Sequence, residues 1–273
     1  MAGANAHRGR LLLIGGAAGP AVLHRFVCLA GGAAADIVVI ASASQDPEIQ
    51  EELYVDAFRR LGAGTARPLR LDSRAQANDA AVVAALSSAT GVFFTGGDQQ
   101  RITTVIGGTQ ADSALQALLQ AGAIVLGGTS AGAAMMSATM IVGGDAPGVA
   151  TAGVRTGPGL EFLPGVLIDM HFAERGRLNR LLSAVALYPH ELGLGIDEDT
   201  AILADGDHFE VLGSGSVTVV DAGAASDIRV PADGPIALAG ARIHVLPAGY
   251  TFALTGRRPS IADGPAGERG RAA

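Results

Sequence analysis

The stretch Ala123-Ile124-Val125-Leu126-Gly127-Gly128-Thr129-Ser130-Ala131-Gly132-Ala133-Ala134-Met135-Met136 decides the fold. It opens as a short β-branched and apolar run, the mark of a strand buried on both faces of a parallel sheet. After G-T-S-A-G come small and apolar residues that can start a helix. A serine on a sharp strand-to-helix turn is a nucleophile elbow, because the turn thrusts the hydroxyl out at the carboxyl end of the sheet. Gly128 and Gly132 read as keeping the backbone thin where a substrate approaches. The following helix aims free amides at the site, which suits a developing oxyanion. In a chain with 39 glycines a G-x-S-x-G match says little alone; its place between strand and helix gives it weight. The alternative is a tight connection whose serine only caps the helix.

Outward from this stretch, strand-like and helix-like segments alternate from Leu11 to about Met140. Strands are expected at 10–14, 36–41, 68–71 and 91–94, and helices at 21–30, 47–61, 75–88 and 111–120. Such alternation indicates βαβ units in a doubly wound, mostly parallel sheet with helices on both faces. Ligands gather beyond the carboxyl ends of such strands, where the loops at Gly96 and Gly128 should meet. Residues 140–165 are glycine-rich and read as a loop or flap. A strand at 166–172 would place Asp169 and His171 on one face. A helix at 174–187 carries Arg175, Arg177 and Arg180, and a strand from 193 ends in an acidic turn. Short alternating segments at 208–212, 216–220 and 242–246 suggest antiparallel strands at one edge. Residues 1–9 and 259–273 read as disordered tails around a single domain of residues 10–258.

Composition narrows the function. The chain has 273 residues, 49% of them hydrophobic, with no apolar run long enough to span a bilayer. That length suits one large α/β domain. A formal charge of −7, 4% aromatics and no tryptophan argue against a nucleic-acid partner. All 19 basic residues are arginines, which excludes a lysine-dependent phosphate loop, a Schiff-base enzyme and a Ser-Lys dyad. Cys28 is the single cysteine, and no H-x-x-x-H pair occurs, so neither a metal nor a cofactor is expected. A soluble cytoplasmic protein, with no membrane partner, is the default.

A serine nucleophile needs a base held by an acceptor. Of six histidines, His171 alone sits at an expected strand end beside an acid and an arginine cluster. Asp197 and Glu198 follow the next strand, and either can orient it. The plainer alternatives are a strand histidine bonded to Asp169 and a solvated acidic turn. The arginines read either as a solvated helix face or as a bidentate clamp for a substrate carboxylate.

Four segments carry a family resemblance: T-G-G-D-Q at 95–99, G-T-S-A-G-A at 128–133, D-M-H-F-x-x-R-x-R-x-x-R at 169–180 and G-I-D-E-D-T-A at 195–201. Together with L-P-A-G-Y-x-F-x-L and R-R-P near the end, they resemble the cyanophycinases, in a serine peptidase family that also contains aspartyl dipeptidases. The resemblance runs over nearly the whole chain. It implies a sheet fold similar to class I glutamine amidotransferases and a homodimer. It implies Ser130 as nucleophile, His171 as base and acid, and Glu198 as the residue orienting it. Gly97, Asp98 and Ala131 would form the oxyanion hole, and Gln99, Asp169, Arg175, Arg177 and Arg180 would line the substrate pocket. The implied substrate is cyanophycin, polyaspartate with arginine on each β-carboxyl, or another β-aspartyl peptide. Met170 stands where the family pattern has glutamine, and Glu161 interrupts a usual G-L-G-L.

Two other readings compete. An α/β-hydrolase esterase usually orders its triad serine, acid, histidine, and here the best acid follows the histidine. A catalytically silent binding protein would have no need of all three residues.

Overall fold

A computed structural model describes residues 9–144 and 147–262. The first half alternates as β1 (Arg10–Ile14), α1 (Pro20–Leu29), β2 (Asp36–Ile40), α2 (Pro47–Arg60), β3 (Thr65–Pro68), α3 (Arg74–Ala77), α4 (Ala80–Ser87), β4 (Gly91–Phe94), α5 (Gln99–Ile106), α6 (Gln110–Ala121), β5 (Val125–Thr129) and α7 (Ala131–Ala134). Then come β6 (Thr139–Gly143), β7 (Arg155–Pro158), β8 (Val166–Met170), α8 (Leu178–Leu187), β9 (Leu192–Ile196), β10 (Thr200–Asp205), β11 (His208–Gly213) and β12 (Ser216–Asp221). The chain closes with β13 (Asp227–Arg229), β14 (Ala237–Ala239), β15 (Arg242–Pro247), β16 (Tyr250–Ala253) and β17 (Arg258–Ile261).

The main sheet has nine strands, ordered β17-β16-β11-β10-β1-β5-β4-β2-β3. β1, β5, β4, β2 and β3 run parallel, and β10, β11, β16 and β17 extend the sheet antiparallel. Pleating sends alternate side chains to opposite faces. Leu12, Ile14, Ile37, Val39 and Phe93 pack with Phe26 of α1 and Phe58 of α2. Leu11, Leu13, Val38, Ile40 and Phe94 meet Leu86, Leu115 and Leu119 on the other face. Each such side chain contributes about 1.5–3 kcal/mol by leaving water.

The expected single sheet is corrected in one respect that matters for the site. β8 and β9 belong to a separate four-stranded sheet, ordered β15-β12-β9-β8. Its Ile168, Leu194 and Ile196 share the core with Leu13 and Met135, and α8 covers its outer face through Leu181 and Val185 against Leu167 and Val220.

Local boundaries also differ. The third strand lies at Thr65–Pro68, not 68–71, with Pro68 ending an edge strand where its missing N–H costs little. The alanine-rich helix breaks at Asn78–Asp79, because the Asp79 carboxylate accepts from Ala81 N at 2.8 Å and caps a new helix. The helix expected from residue 174 begins at Leu178, after a turn that hydrogen-bonds Arg175 N to the His171 carbonyl. The stretch at 140–165 contains the antiparallel pair β6–β7. The segment expected to be disordered from Pro259 instead begins as β17, paired with β16. Residues 1–8 and 263–273 of the expected tails lie outside the described residues.

Candidate active site

Ser130 follows β5 directly and has φ 52° and ψ −112°, a strained conformation for a residue with a side chain. Its amide donates to the Ile14 carbonyl at 2.9 Å, so the end of β1 anchors the elbow. Gly128 and Gly132 serve packing and not substrate approach. A Cβ on Gly128 would lie 2.3 Å from the Gly132 carbonyl oxygen, and one on Gly132 2.4 Å from that of Phe94. Their absence lets α7 sit down onto the sheet.

His171 leaves the end of β8 with φ 47°, and its amide donates to the Gly15 carbonyl at 2.8 Å. That left-handed turn takes its ring away from the face of Asp169. Its Nε2 lies 2.9 Å from Ser130 Oγ, and its Nδ1 lies 2.6 Å from Glu198 Oε1. A carboxylate can only accept, so Nδ1 carries the proton and Nε2 is left to accept from the serine hydroxyl. Of the two acids, Glu198 orients the ring. Asp197 accepts instead from Ala173 N, Ser216 N and Ser216 Oγ at 2.9–3.1 Å.

The loop after Phe94 comes over the serine. A Cβ on Gly96 would be 3.4 Å from Ser130 Cβ, and Gly97 holds φ 140°. The amides of Gly97 and Ala131 find no acceptor among the described residues, as an oxyanion hole requires. Asp98 does not fit that role. Its amide donates to the Ala43 carbonyl at 2.9 Å, and its carboxylate caps α5 by accepting from Gln100 N at 2.8 Å.

A cavity of about 250 Å³ opens on Ser130 and His171. Gly97, Gln99, Met170, Arg175, Arg177 and Arg180 line it, with Val142, Gly143, Gly144 and Arg155 from the β6–β7 pair. Asp169 does not line it. It is fully buried beneath, where Arg180 grips it with Nε at 2.8 Å and with a second guanidinium nitrogen. Arg177 donates to the Met170 carbonyl. Arg175 is exposed, with no partner among the described residues. Gln99 donates to the Ile141 carbonyl at 2.6 Å and so holds β6 over the cavity.

Sequence reasoning passed over three contributors. The Gly15 and Gly16 carbonyls accept from the His171 and Asp199 amides at 2.8 and 2.9 Å; a glycine pair directly after the first strand is the available signal. Arg155 lies in a glycine-rich stretch with no motif to mark it.

A hydroxyl, an imidazole and a carboxylate in series beside free amides form the apparatus of a serine hydrolase. The comparisons agree: residues 11–212 match the model for peptidase family S51, and the chain belongs to that family. It is 39% identical over 250 residues to a cyanophycinase of Geminocystis herdmanii, covering 88% of this chain and 91% of that one. A cyanophycinase of Thermosynechococcus vestitus is 39% identical over 259 residues, covering 91% and 80%. Among solved structures, a peptidase from an acI-B1 Actinobacterium aligns with TM-score 0.65 at 21% identity, covering 89% of this chain and 99% of that one. A putative peptidase E of Listeria monocytogenes aligns at 0.54 and 17% identity, covering 76% and 98%. Both share the mixed α/β fold with its large central sheet.

Proposed function

We propose that this peptidase degrades cyanophycin from a chain end, releasing β-aspartyl-arginine dipeptides through an acyl-enzyme. The observation that carries the reading is the Ser130–His171–Glu198 relay, at 2.9 and 2.6 Å, opening on an arginine-lined cavity. Ser130 Oγ attacks a backbone carbonyl while His171 Nε2 takes its proton. The oxyanion forms against the amides of Gly97 and Ala131, and each such donor is worth about 10²–10³ in kcat. The imidazolium, stabilised by Glu198, protonates the departing amine. Water activated by His171 then hydrolyses the ester. A cavity of about 250 Å³ is smaller than the roughly 300–1,000 Å³ of most ligand pockets, which favours a terminal unit over an internal stretch of polymer. Its cationic lining suits the carboxylates of the substrate.

The same reading takes residues 10–258 as one domain of the class I glutamine amidotransferase type, acting in the cytoplasm as a homodimer. No helix among the described residues is long and apolar enough to cross a membrane. Incubation with cyanophycin, followed by mass spectrometry of the soluble products, tests the activity. Aspartyl-arginine released by the parent and not by Ser130→Ala is the expected result; an intact polymer would direct the search to other aspartyl isopeptides.

A further inference from the structure

Four arginines line the cavity at Ser130, and none of the carboxylates among the described residues does. The acid beneath it, Asp169, is committed to Arg180 and, at 3.5 Å, to Arg177. Arg180 and Arg177 are therefore partly occupied within the protein, whereas Arg155 and Arg175 are exposed and have no partner among the described residues. Arg155 is built into its position. It pairs with Gly143 in the β6–β7 register, and a Cβ on Gly143 would lie 2.7 Å from a terminal nitrogen of its guanidinium. The side chain thus lies across a glycine that leaves it room, on the wall of the cavity that holds Ser130. A second guanidinium entering this space would meet like charge and no carboxylate among the described residues; a carboxylate would meet two unsatisfied forks.

We propose that Arg155 is a specificity-determining residue. With Arg175 it binds the free α-carboxylate of the substrate's β-linked arginine and keeps that arginine's guanidinium outside the cavity. The proposal rests on the reading that cyanophycin is the substrate, and it fixes which end of the β-linked group faces the enzyme. In the polymer each arginine is attached through its α-amine, so its α-carboxylate and guanidinium are both available, and only one matches this wall.

The test compares two short β-substituted aspartate oligomers, one bearing arginine and one bearing agmatine, which has the guanidinium but lacks the carboxylate. The parent should turn over the agmatine oligomer with kcat/KM lower by about 10- to 100-fold, the range of one charge-assisted contact, and chiefly through KM. Arg155→Ala should lose much of that factor on the arginine oligomer and discriminate less between the two, with Arg175 holding the remainder. Arg155→Lys should recover part of the loss and Arg155→Asp should fall below Arg155→Ala, which separates lost charge from a disturbed fold. Unchanged discrimination in Arg155→Ala, or a gain on the arginine oligomer in Arg155→Asp, would overturn the proposal while Ser130-dependent turnover stood. Absence of turnover by the parent on both oligomers would overturn the substrate reading and this proposal with it.

Discussion

Gly16 lies so close under the His171 ring that a Cβ placed on it would be 2.2 Å from Cε1 and 2.5 Å from Nδ1. Its φ of 138° is also one that residues with side chains rarely adopt. Gly16→Ala should therefore push the imidazole off the line between Ser130 and Glu198. A displacement of about 1 Å in a reacting group costs roughly 10²-fold, so kcat should fall by at least that much with the circular dichroism spectrum unchanged. A variant with parental kcat would mean that the loop yields and the ring does not.

Ser130→Ala removes the attacking oxygen and nothing else. Its expected effect is a loss of about 10⁶ in kcat, as for other serine relays acting as a unit. Burst-phase kinetics should disappear with it. Residual turnover near the parental level would place the nucleophile elsewhere.

Glu198 and Asp197 are neighbours with different work, and their amide variants should separate. Glu198→Gln keeps the shape but disturbs the imidazole's tautomer, and a loss of about 10⁴ in kcat is expected, smaller than that of His171→Ala. Asp197 holds the Ala173 and Ser216 backbone. Asp197→Asn should cost about 1–2 kcal/mol of stability by urea titration, with little change in kcat. The reverse ranking would transfer the orienting role to Asp197.

Glu191 gives a pH signature away from the relay. Burial pushes its carboxyl above the usual range, against the weaker opposing effects of the Thr139 hydroxyl and of His190. The folded protein therefore holds this proton more tightly than the unfolded chain, whose carboxyl titrates near 4.5. The stability Glu191 contributes is complete below that value and is lost as pH rises through the folded-state value. Relative to Glu191→Gln, the parent should lose urea stability progressively as pH rises above about 4.5. A stability difference that stays constant over that interval would show Glu191 to be solvated.

The alternation of strands and helices from Leu11 to Ala134 was legible because its signals are local: apolar runs, glycine breaks and Pro47 at a first helical position. So was the serine elbow. What was not legible depends on partners distant in the chain. The run at 166–172 looks like any buried strand, and nothing within it says that β8 joins β9 in a second sheet. The family resemblance implied Asp169 in the pocket, and no local signal marks its contact with Arg180, which depends on how the turn after β8 folds back. The family resemblance implies Asp98 as an oxyanion donor, yet its amide is taken by Ala43, more than fifty residues earlier. Arg155 became visible only when the β6–β7 pair was seen to close over the serine.

The relay is divided between the two sheets. Ser130 leaves the nine-stranded sheet, His171 leaves the four-stranded one, and Glu198 sits on the link from β9 to β10 that joins them. Translation delivers the serine forty-one residues ahead of its base. The contact between Ser130 and His171 therefore exists only where the two sheets pack together.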